Sequence, residues 1–278
     1  MDLFSTIAFK TSKLVTKSYS TSFSIAVGVL PGEIRDAIYS IYGFVRFADE
    51  IVDSFHDSDK EHLLARFEED FREAVNTGIS MNPILHSFAS SIHRYNIDIS
   101  LVDAFLGSMK ADLHKKNYDN ADDLNRYIYG SADVVGLMCL KVFVNGEENV
   151  YHELREPALK LGSAFQKVNF LRDLKADVEV LDRKYFPQFL HTEFNESAKK
   201  EIISNIEQDF QVAREGIMKL PGRSRLAVMV AYTYYSDLLA KLKRTPANRI
   251  ISERIRVSNP RKLYLFLKSH AKYYLRMI

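Results

Sequence analysis

Long stretches of this chain place apolar residues three or four positions apart, which is the spacing of one face of an α-helix. The strict alternation of apolar and polar residues that marks a half-buried β-strand is scarce. The 7 prolines lie between these stretches or at the start of one, as residues that interrupt helices should. The pattern predicts helices over residues 3–19, 33–55, 60–76, 101–115, 123–143, 153–178, 197–220 and 223–243.

The whole chain is expected to form one domain. Of its 278 residues, 46% are hydrophobic, which is enough to bury a substantial core, and no linker, repeat or low-complexity tract divides it. The prediction is therefore an all-α fold with a single domain spanning residues 1–278. Cys139 is the single cysteine and stands in an apolar run, so we expect a structural thiol and no internal disulfide.

Localisation and charge point to a cytoplasmic protein. The N-terminus lacks the charged and then apolar build of a signal peptide, and no apolar run is long enough to span a bilayer.

From Lys241 onward the chain carries eleven Lys or Arg residues and one acid, Glu253. This tail either packs on its own domain, contacts the inner face of the membrane peripherally, or holds an anionic ligand. Nucleic acid is not expected as a partner.

Two pairs of aspartates give the strongest indication of function. Asp49 and Asp53 form one pair, and Asp173 and Asp177 form the other, each within an apolar stretch of helical pattern. Residues four apart project from the same helix face, so each pair would present two carboxylates in one direction. If the two helices face each other, four carboxylates converge. The alternative is that both pairs are solvated helix faces.

Further polar residues accompany each pair on its helix. Tyr42 and Arg46 precede the first pair by whole turns, and Gln166 and Asn169 precede the second, while apolar residues fill the neighbouring positions. Each helix is thus predicted to pack with one side and to present polar groups with another. Asp53/Asp57 and Asp119/Asp123 have the same spacing, but Asp119 and Asp123 lie in the mainly polar stretch 115–125, where we predict a loop and a first helical turn.

Four carboxylates without a nearby His or Cys favour Mg²⁺ or Mn²⁺ over zinc or copper. Glu-x-x-His does not occur in the sequence, which disfavours a di-iron bundle. A carboxylate about 4 Å from a phosphate oxygen repels it by roughly 4 kcal/mol at an effective dielectric constant near 20. Metal ions between them reverse that sign, and Arg46 and Arg172 would add charge-assisted hydrogen bonds. The implied substrate carries a diphosphate.

Four segments, in this order, resemble the squalene/phytoene synthase family of head-to-head prenyl synthases. They are YSTSF at 19–23, YGFVRFADEIVD at 42–53, YIYGSADVVG at 127–136 and QKVNFLRDLKADVEVLDRKYFP at 166–187. The resemblance runs nearly end to end and is strongest to bacterial phytoene synthases. It implies an all-α isoprenoid-synthase bundle around a central cavity.

The resemblance also implies roles for individual residues. The Mg²⁺ ligands would be Asp49, Asp53, Asp173 and Asp177, assisted in the second motif by Asn169 and Gln166, which also belong to the substrate site. Contacts to diphosphate would come from Ser20, Ser22, Arg46, Tyr127, Arg172, Tyr235 and Arg254, and Tyr127 is also counted with the four aspartates as catalytic. Arg183, Tyr185 and Pro187 match the closing Arg-x-Tyr-x-Pro segment, in which we interpret the proline as structural.

The implied reaction joins two geranylgeranyl diphosphates through prephytoene diphosphate to give phytoene, the first committed step of carotenoid biosynthesis. Carbocations need a dry cavity, and aromatic faces stabilise positive charge. Phe23, Phe47 and Phe165 are candidates for such rings, with ordinary core packing as the alternative. The family commonly has a small residue at Asp133. We expect a helix-face charge there, with a base or a water anchor as alternatives.

Two other functions remain open. A squalene or dehydrosqualene synthase would use farnesyl diphosphate and, for squalene, NADPH, whereas the phytoene reaction needs no NADPH. A non-catalytic helical scaffold that binds prenyl lipids belongs to a different class. Such a scaffold should have lost acidic ligands, yet both pairs are intact here.

Overall fold

The computed structural model of the chain describes residues 2–115, 117–179, 183–187 and 194–275. These residues form thirteen α-helices and one π-helical turn, Tyr129–Asp133. The helices are α1 (Leu3–Tyr19), α2 (Thr21–Val27), α3 (Gly32–Ser54), α4 (Lys60–Thr77), α5 (Pro83–Tyr95), α6 (Ile99–Asp112), α7 (Ala121–Ile128), α8 (Val134–Phe143), α9 (Glu148–Glu179), α10 (Glu196–Lys219), α11 (Gly222–Arg244), α12 (Ala247–Ser252) and α13 (Asn259–Tyr274). The all-α prediction is confirmed.

Each of the eight predicted helical ranges overlaps a helix, and α1 has the predicted bounds. The range 123–143 is divided, because the π-helical turn separates α7 from α8. Within that turn Gly130 lies directly against α6: a Cβ atom there would stand 1.9 Å from Ser108 Oγ and 2.8 Å from the carbonyl oxygen of Ala104. Only glycine permits this approach, which brings α6 up to the motif that begins at Tyr127.

Helix α5 was not predicted, because serines occupy core positions in it and weaken the apolar pattern. Ser87 Oγ lies 2.8 Å from Ser12 Oγ of α1, and Ser91 Oγ lies 2.7 Å from Ser40 Oγ of α3. All four serines are buried. Small hydroxyl side chains that satisfy each other let α5 pack closely on both helices. The other unpredicted helices are α2, α12 and α13.

Pro157 was expected at the start of a helix, but it lies inside α9, which already begins at Glu148. A proline in a helix interior removes one backbone hydrogen bond, a cost that packing must offset. Here the ring packs against α10 at Gly216, where an added Cβ would stand 2.2 Å from the Pro157 Cβ. The expectation failed because this tertiary contact is not visible in the local sequence.

Two large hydrophobic cores organise the bundle. One is built mainly by α3, α4, α5, α6 and α8, and the other by α7, α9, α10, α11 and α12. A smaller cluster joins α2, α11 and α13. None of the helices in the described part of the chain combines the length and apolar character needed to cross a membrane.

Candidate active site

A cavity of about 750 Å³ is lined by residues of both large cores. Along α3 and α9 its lining is apolar toward the start of each helix and carries the charged residues toward the end. The apolar residues include Ile38, Ile41, Leu154, Ala158, Leu161 and Phe165. The charged residues are Arg46, Asp49, Asp53, Arg172, Asp173 and Asp177. The cavity therefore joins an acidic and basic region to an apolar chamber.

The structure places both predicted aspartate pairs in this one lining. Burial, and after it the neighbouring charge of Asp53, raise the pKa of the Asp49 carboxyl to about 7. The pKa of Asp177 is also raised to about 7, first by burial and then by Asp173, and Asp53 of the other pair contributes in the same direction. Carboxylates that repel one another in a desolvated site favour a cation between them. The two pairs thus act on each other electrostatically.

Arginines neutralise part of this negative charge. Arg254 Nε lies 2.6 Å from Asp173 Oδ1, and Arg172 Nε donates to the same carboxylate at 3.0 Å. Arg183 Nη1 donates to Asp53 Oδ1 at 3.2 Å. Among the described residues, no group of three His, Cys, Asp or Glu side chains is arranged to hold a metal ion by itself. Each aspartate pair therefore offers two carboxylates to a metal ion, and the remaining ligands would come from other groups.

Arg46 lies between the first pair and the neighbouring helix. Its guanidinium is hydrogen-bonded to Glu50 and lies 4.3 Å from the centroid of the Tyr19 ring. Its Nε is buried and has no hydrogen-bond partner. A desolvated donor without a partner is costly, and a diphosphate oxygen would satisfy it.

Most of the other predicted residues also line the cavity: Ser20, Tyr127, Gln166, Asn169, Tyr235 and Arg254. Tyr235 Oη donates to Asn169 Oδ1 at 3.2 Å, which ties α11 to α9. Ser22 is half-buried and is not among the described residues that line the cavity. Ser22 follows Ser20 by two residues, and side chains two residues apart project from different sides of a helix.

Two of the three candidate rings are at the cavity wall. Phe165 is stacked on Tyr235 with centroids 4.0 Å apart, and Phe23 is stacked on Tyr42 at 5.0 Å. Phe47 is absent from the lining and packs against the first core. Cys139 does line the cavity, in its apolar part, and burial raises the pKa of its thiol to about 12. A neutral thiol is compatible with the structural role expected for it.

Sequence reasoning missed Asp112, which ends α6 and lines the same cavity. Its carboxylate accepts a hydrogen bond from Tyr127 Oη at 2.7 Å and a longer one from Tyr118 Oη at 3.4 Å. Its backbone carbonyl accepts from Arg183 Nη2 at 2.9 Å. Burial raises the pKa of Asp112 to about 6, against the effect of the Arg183 charge.

A signal for Asp112 existed in the sequence. It follows the buried residues Phe105 and Met109 of α6 by seven and three positions, so an acid falls on the apolar face of a helix. Such residues are buried only when paired. The pairing partners come from distant segments: Tyr127 from α7 and Arg183 from residues 183–187. The ring of Tyr185 packs on Phe170 at 3.8 Å and holds that segment in place.

Asp133 was expected to be a helix-face charge, and this is wrong: its relative exposure is 8%. It lies in the π-helical turn, against Gly162 of α9, where an added Cβ would come within 3.0 Å of its Oδ1. That oxygen is buried without a hydrogen-bond partner. Burial raises the pKa of Asp133 to about 7, although Ser163 and Lys167 act in the opposite direction. The close contact of the turn with α9 removes this carboxyl from solvent.

We expect Asp133→Asn to stabilise the protein at pH 8 by roughly 1 to 4 kcal/mol relative to the parent. With a folded-state pKa near 7 and a usual value of 3.8, the parent loses stability as pH rises from about 4 to 7. The difference between variant and parent should therefore grow over that interval and level off above it. Urea unfolding at several pH values measures it. Asp119→Asn, at an exposed position, serves as control, and an equal difference at pH 5 and pH 8 would refute the assignment.

Comparison with known proteins identifies the family of the chain. A sequence model of the squalene/phytoene synthase family matches residues 16–261. The phytoene synthase of Arthrospira platensis is 27% identical over 263 residues, which cover 85% of this chain and 84% of that protein. The 4,4'-diapophytoene synthase of Staphylococcus haemolyticus is 29% identical over 189 residues, covering 68% of this chain and 65% of that protein.

The fold has solved relatives as well. The crystal structure of a dehydrosqualene synthase in complex with a ligand superposes with a TM-score of 0.84 at 21% identity, covering 99% of this chain and 98% of that one. At that identity the likeness concerns the fold alone. The family match spans most of the chain and all four motifs that carried the resemblance. The chain therefore belongs to the squalene/phytoene synthase family, and with it to the prenyltransferases of the phytoene and squalene synthase type.

Proposed function

We propose that this protein condenses two geranylgeranyl diphosphates head to head, through prephytoene diphosphate, to give phytoene, without NADPH. The observation that carries the proposal is the division of the cavity into a region of four aspartates and several arginines and a chamber with apolar walls. A prenyl diphosphate has the same division into a charged head and an apolar tail. Phytoene synthases are also among the curated relatives that span most of the chain.

The donor set at the charged end fits Mg²⁺ or Mn²⁺. Both ions prefer hard oxygen ligands, and Mg²⁺ is usually held by one or two carboxylates together with water and substrate phosphates. Asp49 and Asp53 would hold metal on one side, and Asp173 and Asp177, with Asn169, on the other. When bound, the metal ion would act as a Lewis acid that withdraws negative charge from the leaving diphosphate.

The arginines have the complementary task. In the described structure Arg172 and Arg254 are paired with Asp173, and Arg183 with Asp53. A diphosphate that enters with metal gives these guanidinium groups a second acceptor. They would neutralise the departing charge where it develops, which lowers the barrier to breaking the allylic C–O bond.

The chamber walls govern the fate of the allylic cation. Their apolar side chains exclude water that would quench it. The cation then alkylates the double bond nearest the diphosphate of the second substrate, and the new cation loses a proton as the cyclopropane ring closes. The cyclopropyl intermediate then loses its own diphosphate, rearranges, and loses a second proton to give phytoene. The stacked rings of Phe165 and Tyr235 lie at the junction of chamber and charged end, where a ring face would stabilise positive charge.

A reaction with farnesyl diphosphate is the second candidate, favoured by the diapophytoene synthase relative. The test is to incubate the purified protein and Mg²⁺ with geranylgeranyl or farnesyl diphosphate, each with and without NADPH, and to identify the hydrocarbon by mass spectrometry. We expect phytoene from geranylgeranyl diphosphate, unchanged by NADPH. A C30 hydrocarbon alone would replace the proposal with the second candidate. No hydrocarbon from either substrate would favour a non-catalytic scaffold.

Arg46→Ala is expected to lower kcat/KM by roughly 10- to 100-fold, mainly through a higher KM, because a charge-assisted hydrogen bond to diphosphate is lost. Steady-state kinetics with the accepted prenyl diphosphate measure this. Arg66→Ala is the matched control, since Arg66 forms an ion pair with an acid four residues on, as Arg46 does, but lies outside the cavity on α4. Equal losses in the two variants would remove Arg46 from the substrate site.

We further propose that α13 contacts an anionic membrane surface. Its inner side packs on α11 through Leu265 and Ser269. Large apolar side chains on its outer side are exposed, Leu263 by 59%, Leu267 by 58% and Tyr274 by 68%, and so is Leu275 directly after the helix, by 70%. Basic residues flank this stripe, and the part of α13 described here contains no acid. An apolar stripe with a cationic border matches the interface of an anionic bilayer.

The vesicle experiment for α13 uses sedimentation with phosphatidylcholine alone or mixed with phosphatidylglycerol. The parent is expected to sediment with the anionic vesicles, and Leu263→Glu/Leu267→Glu to sediment markedly less. Ile79→Glu/Met81→Glu, which alters exposed apolar residues between α4 and α5, is the matched control and should sediment like the parent. Equal sedimentation of all three proteins would overturn the proposal.

A further inference from the structure

A second concave site lies on the outer side of α2, between α1 and α3. Its volume is about 450 Å³, and none of its lining residues lines the large cavity. Helix α2 separates the two sites, because Phe23 and Val27 line the large cavity whereas Ser24 and Ile25 line the second site. The lining also includes Lys13 and Lys17 of α1 and Arg35 and Tyr39 of α3.

The charges of this second site are not balanced. Lys13 and Lys17 lie four residues apart on one face of α1, an arrangement that destabilises a helix by mutual repulsion. Neither lysine forms an ion pair with any acid in the described ranges. Arg35 has one ionic contact, with its neighbour Asp36, and its Nε–Oδ1 distance of 3.9 Å is too long for a hydrogen bond. Three cations thus face one concave surface against a single nearby carboxylate.

A second observation at Arg35 also points to a ligand at this site. Its Nε is buried and has no hydrogen-bond partner within the protein. Donors in this condition are rare in folded proteins and cost stability unless something else satisfies them. A guanidinium presents its donors in a fork that matches two oxygens of one phosphate, and the flanking lysines would add charge.

The border of the site is apolar. Ile25 of the lining is 37% exposed, and Leu14, which lies between the two lysines in sequence, is 65% exposed. Cations beside exposed aliphatic side chains suit a molecule with a phosphate group and an apolar part. We propose that this site binds the phosphate group of an anionic amphiphile, and that it does so independently of the large cavity.

The chemistry recognised is the phosphate group, which a membrane phospholipid or free phosphate could supply. The test compares the parent with Lys13→Gln/Lys17→Gln and with Arg35→Gln. Lys10→Gln is the matched control, because Lys10 is an exposed lysine of the same helix outside the site. The altered side chains are surface lysines and one arginine outside the large cavity, so circular dichroism and turnover in detergent should match the parent.

The first arm measures thermal stabilisation by inorganic phosphate against chloride at equal ionic strength. The second arm measures sedimentation with phosphatidylcholine vesicles that contain or lack phosphatidic acid, with every protein also carrying Leu263→Glu/Leu267→Glu so that α13 does not contribute. We expect the parent and Lys10→Gln to respond in at least one arm, and the site variants to bind about tenfold more weakly in that arm. A response confined to the second arm identifies the lipid as the source, and one confined to the first identifies free phosphate.

Two results would overturn the inference. One is an equal response of the parent and both site variants in both arms. The other is an equal loss in Lys10→Gln, which would reflect the general charge of α1 and not a site. The Leu263→Glu/Leu267→Glu variant of α13 should keep the phosphate response, which separates this site from the surface of α13.

Discussion

Asp49→Asn and Asp173→Asn are each expected to lower turnover by about 100-fold or more, because under the proposed function each replaces a charged metal ligand by a neutral amide at the charged end of the cavity. The fold should survive both changes. Asp49 is held beside Asp53 in a desolvated position where burial has raised its pKa to about 7, so removing its charge relieves repulsion. The measurements are kcat at saturating Mg²⁺ and substrate, with circular dichroism and thermal melting to verify the fold.

The control for these variants is Asp119→Asn. Asp119 also stands four residues before another aspartate, Asp123, but it is exposed and lies outside the cavity, so neither turnover nor melting should change. Unchanged turnover in both Asp49→Asn and Asp173→Asn would end the assignment of the two pairs to metal. A loss at Asp119 as large as theirs would show that the assay responds to acidic residues in general.

Asp112→Ala should have the second largest effect, a loss of turnover of roughly 10- to 100-fold. The side chain does not need to touch substrate to act. It accepts the hydrogen bond of Tyr127 Oη at 2.7 Å. The backbone carbonyl of Asp112, which alanine retains, continues to hold Arg183, which reaches Asp53. Alanine leaves the Tyr127 hydroxyl without a buried acceptor, at a cost of about 1–3 kcal/mol, and frees its orientation.

Asp112→Asn separates positioning from charge. Its amide oxygen can still accept from Tyr127, so we expect it to recover most of the turnover that Asp112→Ala loses. A merely structural role would lower thermal stability in Asp112→Ala without lowering kcat of the fraction that remains folded. If both variants lose turnover equally and fully, the carboxylate charge itself is required, and the interpretation of Asp112 as a positioning residue fails.

The sequence predicted the helices correctly wherever they are long and have a continuous apolar face. The bounds of α1 and the extent of α3, α4, α10 and α11 agree closely with the periodicity of the chain, because a helix that buries one face must repeat apolar residues at that period. The pattern failed in α5, whose buried face uses hydroxyls paired across helices. It also failed at Pro157, which is tolerated inside α9 because a glycine of α10 makes room for it.

Many residues of the site could also be predicted from the sequence. Spacing placed each aspartate pair on one helix face, and the structure brings both to one cavity. The position of Asp133 was beyond local reasoning, since its burial depends on how the π-helical turn packs against Gly162 of α9. The same holds for Ser22, which shares a motif with Ser20 but not its orientation.

The sequence by itself determined which side chains each helix presents, because that depends on a fixed rotation of about 100° per residue. It therefore determined the two acidic faces and the apolar faces. The cationic character of the tail follows directly from its residue content. Only the tertiary structure decided which faces meet: that Asp112 of α6 receives Tyr127 of α7 and Arg183 of a later segment, and that α2 separates one cavity from a second, cationic site. Such contacts join residues far apart in the chain, and their energies depend on burial and distance, which no local spacing records.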